Sequence, residues 1–139
     1  MPPIKINHIA VVVPDVQAAL GFWQRALGLT LSHTERSESE AVEIAFLPLG
    51  DSEIELIAPI TDDSGVAKFL ANRGAGLHHL CIEVDDIEAS MAQLAANGAQ
   101  LINESPRRRD DGTRYAFVHP KSTGGVLVEL YELPEGTGE

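Results

Sequence analysis

The sequence predicts an α+β chain of two tandem βαβββ modules that form a curved, mixed sheet around a central cleft. Three observations predict it. Two stretches read strand, helix, strand, strand in the same order. Their landmarks recur at one offset: His8 and His79, Asp15 and Asp86, and the pairs Ala45-Phe46 and Ala116-Phe117 are each 71 positions apart. Each copy also has a single helix for its sheet, so the other sheet face is left for the twin copy or for a cleft between them.

In the first copy, segment 4–13 (IKINHIAVVV) is β-branched and apolar, and Pro14 ends it, as a strand requires. Asp15 stands at a helix N-cap position. Val16, Ala19, Leu20, Trp23 and Leu27 follow at helical spacing, and Gly28 offers the left-handed stop. Leu29–Thr34 has room for a further strand. Ala41–Leu47 reads as the next one, Pro48–Ser52 as a turn, and Glu53–Ala58 as the closing strand with strict alternation.

The second copy starts after Gly76. Leu77–Val84 is a strand, and Asp85 or Asp86 an N-cap, with Glu88 completing a capping-box pattern from Asp85. Ile87, Met91, Leu94 and Ala95 form the helical stripe, and Asn97-Gly98 closes it. Ala99–Asn103 has room for a strand. Tyr115–Val118 and Val126–Tyr131 are strands on either side of the turn at 120–125. That turn is longer than its counterpart, so Glu55 matches Glu129 at an offset of 74. The whole reads as one domain over 1–139: a module at 4–58, a linking helix within 62–74, a module at 76–132, and a flexible tail at 134–139.

Composition narrows the function. Of 139 residues, 44% are hydrophobic, enough for a core, and no run of eighteen apolar residues would span a membrane. No signal peptide is expected, and the single Cys81 cannot form an internal disulfide, which suits a cytoplasmic protein. A net charge of −11 argues against nucleic acid and anionic membrane as partners. Five of the ten basic residues, Arg107, Arg108, Arg109, Arg114 and Lys121, fall in one short stretch, where an anionic ligand would be attracted.

Alternation places His8 with Ala10 and Val12, and His79 with Cys81 and Glu83. Glu55 and Glu129 point away from Leu56 and Val128. A lone strand histidine is more often structural than a ligand, and a strand Glu usually faces water. The matched places in a repeat single these four out. Two imidazoles and two carboxylates would suit one borderline divalent ion such as Co²⁺, Mn²⁺, Ni²⁺, Fe²⁺ or Zn²⁺. His33, His78 and His119 have no repeat match; His33 reads as a surface residue. Glu43 interrupts the apolar strand AVEIAFL, and its repeat partner is Arg114. It is either a partly desolvated general base beside the metal or an edge-strand carboxylate in water.

The repeat, the openings NHIAVVVPDVQAALGFWQRALG and GLHHLCIEVDDIEASMAQLAANG, and the ending HPKSTGGVLVELYE resemble the vicinal oxygen chelate (glyoxalase-like) superfamily. Within it the chain is most similar to the methylmalonyl-CoA epimerases, over Ile4–Glu132. The resemblance implies a metal site of His8, Glu55, His79 and Glu129. It also implies a catalytic pair, Glu43 and Glu129, interconverting (R)- and (S)-methylmalonyl-CoA by proton abstraction and return through a metal-stabilised enolate. The ion implied is divalent, Co²⁺ first, then Mn²⁺, Ni²⁺ or Zn²⁺. A small acyl-CoA substrate and a homodimer are expected with it. Arg107, Arg108, Arg109 and Lys121 either meet CoA phosphates or, for the arginines, pair with Asp110 and Asp111 on a solvated loop. The loop PRRRDDGTR departs from the glycine-rich, near-neutral loop of relatives. The principal alternative is a glyoxalase I-type lactoylglutathione lyase, which shares the His/Glu/His/Glu pattern.

Overall fold

A computed structural model describes residues 3–134 of the chain. The segment EGTGE, expected to be a disordered tail, lies outside the described residues. The chain divides into two compact units, one of His8–His78 and one of Met1–Asn7 with His79–Glu139.

In the unit His8–His78, the elements run β1 (Lys5–Val12, whose first three residues fall in the other unit), α1 (Val16–Leu20), β2 (His33–Ser37), β3 (Val42–Leu49), β4 (Ser52–Pro59) and α2 (Gly65–Arg73). The strand order is β2-β3-β4-β1, with β1 parallel to β4 and the other pairs antiparallel. Asp15 caps α1 by accepting from the Gln17 N–H at 3.0 Å. The helix then widens into a π-helical stretch, Gly21–Ala26, rather than running on as α to Leu27. Gly28 ends it with φ 93°, a conformation glycine adopts without strain. Val16 and Leu20 pack on one sheet face against Ala45, Leu47, Ile54, Leu56 and Ala58. The opposite face groups Ala10, Val42 and Ile57, with Ile44 and Val66 of α2 packed against them.

Two expectations in this unit shift. The strand expected at Leu29–Thr34 starts at His33, because Leu29 and Leu31 turn inward against the core instead. Pro48 is not in a turn. It pairs with Glu53 inside an eight-residue β3, and Gly50, with φ 61°, makes the tight hairpin.

In the other unit, the elements are β5 (Gly76–Glu83, from His79 on), α3 (Ile87–Ala96), β6 (Arg107–Arg108), β7 (Arg114–Val118), a 3₁₀ turn at Pro120–Ser122 and β8 (Val128–Glu132), ordered β5-β8-β7-β6. Again one pair, β5 with β8, is parallel. The start of the chain joins this unit: Ile4 N–H donates to Glu83 O at 2.8 Å, and Asn7 Nδ2 to Glu83 Oε1 at 3.1 Å. Asp86, not Asp85, caps α3, accepting from Ala89 N–H at 3.1 Å. Glu88 does not close a capping box; it faces Arg114 at 3.5 Å. Arg114 also grips Glu132 at 3.0 Å, a contact that holds the guanidinium firmly protonated, while Glu132 Oε1 accepts from Ile87 N–H. That clamp ties β7, β8 and α3 together. Ile87 and Met91 pack on Val84, Ala116, Val118 and Leu130.

The strand expected at Ala99–Asn103 is reduced to a single bridge of Leu101 to Val118. Asn103 stops it: its Oδ1 takes the Phe117 N–H at 2.7 Å, which a strand carbonyl would otherwise accept. The two-residue β6 farther on is the edge that the sequence reading missed. Among the described residues, no helix is long and apolar enough to cross a membrane.

Candidate functional site

Register carries the repeat into space. In the first unit Glu55 stands opposite Ala10 on β1 and Phe46 on β3. In the second, Glu129 stands opposite Cys81 on β5 and Phe117 on β7. Ala10 and Cys81, like Phe46 and Phe117, are 71 positions apart, so the 74-residue offset between the glutamates is real and comes from the longer turn before β8.

Each register brings one histidine to one carboxylate. His8 precedes Ala10 by two residues and so shares its face, and its Nδ1 lies 3.3 Å from Glu55 Oε2. His79 precedes Cys81 in the same way, and its Nε2 lies 3.1 Å from Glu129 Oε1. All four side chains are buried: His8 is 2% exposed, Glu129 1%, Glu55 and His79 9% each. In each unit the pair sits on the sheet face away from the helix, since α1 and α3 cover the alternate residues. Buried polar groups are costly unless satisfied, so each buried His–Glu pair satisfies groups that would otherwise be left without water.

The donor chemistry fits a divalent ion. Each pair offers an imidazole nitrogen and a carboxylate oxygen, a mixed set that borderline metals accept. An ion would also offset the desolvation of the carboxylate in either pair.

Glu129 has a second partner. Arg109 Nη2 donates to its Oε2 at 3.2 Å, and the Arg109 guanidinium lies over the Tyr115 ring at 4.2 Å and over the Tyr131 ring at 5.6 Å from the centroid. Arg109 is therefore not one of a row of solvated cations. It leaves Arg107 and Arg108, which stay exposed on β6, and reaches the site itself. The Asp111 carboxyl is held low chiefly by the Thr113 backbone N–H at 2.9 Å, with a smaller contribution from the charge of Arg109. Lys121 is exposed on the 3₁₀ turn, where its N–H is capped by His119 Nδ1 at 3.0 Å.

Glu43 is not brought to the face of His8 and Glu55. It pairs with Ala58 across β3 and β4, on the face where Ala45, Leu47, Leu56 and Ala58 meet α1. The residues of β3 that share the face of Glu55 are Val42, Ile44 and Phe46. Glu43 is partly buried, and its side chain makes no hydrogen bond or ion pair among the described residues. Strand alternation alone separates it from the pair, because one residue along a strand is a change of face.

On β2, His33, Glu35 and Ser37 pair with Phe46, Ile44 and Val42, which puts them on the Glu55 face. His33 stacks on Phe46 at 4.5 Å and 13°, and its Nε2 meets Glu35 Oε2 at 2.9 Å. The signal was the alternation H-T-E-R-S, hidden because the strand was expected four residues earlier.

Residues 7–117 match the glyoxalase/bleomycin resistance protein/dioxygenase superfamily. The chain is 38% identical over 127 residues to the mitochondrial methylmalonyl-CoA epimerase of Homo sapiens, covering 91% of this chain and 72% of that one. It is 34% identical over 131 residues to the ethylmalonyl-CoA/methylmalonyl-CoA epimerase of Cereibacter sphaeroides, covering 93% and 98%. A variant of the Streptomyces coelicolor methylmalonyl-CoA epimerase, in complex with 2-nitronate-propionyl-CoA, superposes with a TM-score of 0.83 at 33% identity, over 95% of this chain and 99% of that one.

Proposed function

This chain belongs to the methylmalonyl-CoA epimerase family of the glyoxalase/bleomycin resistance protein/dioxygenase superfamily, and from that premise we propose that it is an epimerase interconverting (R)- and (S)-methylmalonyl-CoA. The observation that carries the reading is the pair of buried His–Glu contacts at repeat-matched positions, His8 with Glu55 and His79 with Glu129.

The residues that would hold one divalent ion are His8, Glu55, His79 and Glu129, with Co²⁺ the first choice and Mn²⁺, Ni²⁺ or Zn²⁺ after it. When bound, the ion supplies Lewis-acid polarisation of the thioester carbonyl, which makes the α-proton easier to remove. The chain's own residues do the rest. Glu129 is buried and fixed by two partners, so its carboxylate can stand on one face of the α-carbon and exchange a proton with it. Arg109, stacked on Tyr115, holds that carboxylate in place. Arg107, Arg108 and Lys121 are exposed cations suited to the phosphates of CoA, with arginine able to bind bidentately. A homodimer and a cytoplasmic setting complete the reading.

Separate incubations of ion-loaded protein with (R)-methylmalonyl-CoA and with the glutathione–methylglyoxal adduct test it. The expected result is conversion of the thioester to a mixture of its two epimers, with the adduct untouched. Turnover of the adduct without interconversion of the thioester would move the assignment to a lactoylglutathione lyase.

A further inference from the structure

Register sets what flanks Glu55 within the unit His8–His78. Glu55 stands opposite Ala10 on β1 and Phe46 on β3. Opposite residues on neighbouring strands lie about 5 Å apart, so a group lying against the Glu55 carboxylate also meets these two side chains. Ala10 is buried and offers only a methyl group, which leaves room on the β1 side. Phe46 supplies the bulk on the β3 side. Its ring is half-buried, on the sheet face away from α1, because α1 packs on the alternate residues Ala45 and Leu47.

The Phe46 ring is held from one side. β2 and β4 flank β3. On β2, His33 stands opposite Phe46, and the two rings stack at 4.5 Å and 13°. The His33 plane is fixed in turn: Ser32 Oγ lies 2.9 Å from its Nδ1 and Glu35 Oε2 lies 2.9 Å from its Nε2. The ring face of Phe46 that His33 leaves uncovered is the one toward β4 and Glu55. Ile44, the next residue on this face of β3, extends the apolar surface along the strand.

We propose that Phe46 is a specificity-determining residue: its ring is the wall that limits the alkyl substituent on the α-carbon of the acyl-CoA to a methyl group, and His33 is the positioning residue that holds the wall in place. This rests on the epimerase reading above. An acyl group brought to Glu55 for proton exchange at its α-carbon carries a thioester, a carboxylate and an alkyl substituent. The first two are polar and suit the ligand side chains. The alkyl group is the part that needs an apolar neighbour, and Phe46 is the large apolar side chain in register with Glu55. A ring clamped by its neighbour cannot tilt away from a longer chain without breaking the stack, and a packed surface absorbs an extra methylene only with strain. One methylene in an apolar pocket changes kcat/KM by ~10–200-fold.

The test compares methylmalonyl-CoA with ethylmalonyl-CoA, one methylene longer at that substituent, on ion-loaded full-length protein. Wild type should favour the methyl thioester by ~10-fold or more in kcat/KM. Phe46→Ala should erase that preference, and Phe46→Leu, which keeps an apolar side chain in the strand, should narrow it. A merely structural role for Phe46 would slow both thioesters alike and leave their ratio where it was. His33→Ala should narrow the ratio, and His33→Phe, which restores a flat ring against Phe46, should bring it back. Dissociation constants from calorimetry, with each thioester supplied as the mixture of its epimers, should follow the same order without any measurement of turnover. A wild-type ratio near one, or Phe46 variants that keep the wild-type ratio, overturns the proposal and leaves the epimerase reading standing. So does a ratio that moves with Phe117→Leu, the repeat counterpart opposite Glu129, and not with Phe46. A wild-type protein that interconverts the epimers of neither thioester overturns both.

Discussion

Glu129→Gln abolishes interconversion of the methylmalonyl-CoA epimers, with kcat down by at least ~10²-fold and up to ~10⁴-fold. The carboxylate has three tasks in the account: proton transfer at the α-carbon, a ligand oxygen for the ion, and the counter-charge for Arg109. An amide of the same shape keeps the packing beside His79 and Phe117 but cannot accept a proton or carry charge. The variant should remain folded, as read by an unchanged far-UV circular dichroism spectrum. A steady-state assay with each epimer checks the loss in both directions. If the variant keeps a tenth or more of the wild-type rate, Glu129 is not the proton-transfer group.

Removing the ion, or either histidine, should be as severe. Dialysis against a chelator is expected to take activity to background, and one equivalent of Co²⁺ to restore it. His8→Ala and His79→Ala should each weaken ion binding by more than the ~10–100-fold typical of losing a mere supporting contact. The two variants probe different units, because His8 belongs to one and His79 to the other. Metal content by elemental analysis and affinity by calorimetry read the result. A variant that keeps a full equivalent of ion at wild-type affinity would show that its histidine is not a ligand.

The legible part of the site was the part written twice. His8, Glu55, His79 and Glu129 stand out because two copies of one module place them alike, and the registers Ala10 to Glu55 and Cys81 to Glu129 follow that match residue for residue. The helix caps Asp15 and Asp86 were legible for the same reason. Glu43 was harder. Its face along β3, shared with Ala45 and Leu47, can be read from alternation, but which face of the sheet receives α1 depends on packing of Val16 and Leu20 that no local pattern announces. His33 and Glu35 were hidden by a strand boundary. Leu29 and Leu31 look like strand residues and are core residues of an extended link. Arg109 was hidden among its neighbours: three arginines in a row look alike in sequence, and only the hairpin at β6 and β7 sends one of them over Tyr115 to Glu129 while the others stay in water. The strand expected at Ala99–Asn103 failed on one side chain, the amide of Asn103.

The central claim is proton exchange at the carbon between a thioester and a carboxylate. Its most direct measurement is incubation of ion-loaded protein with methylmalonyl-CoA in D₂O, followed by mass spectrometry and resolution of the two epimers. The account predicts one deuterium at the α-carbon of both epimers as they approach equal amounts. Folded, ion-loaded protein that leaves the α-hydrogen in place would contradict it.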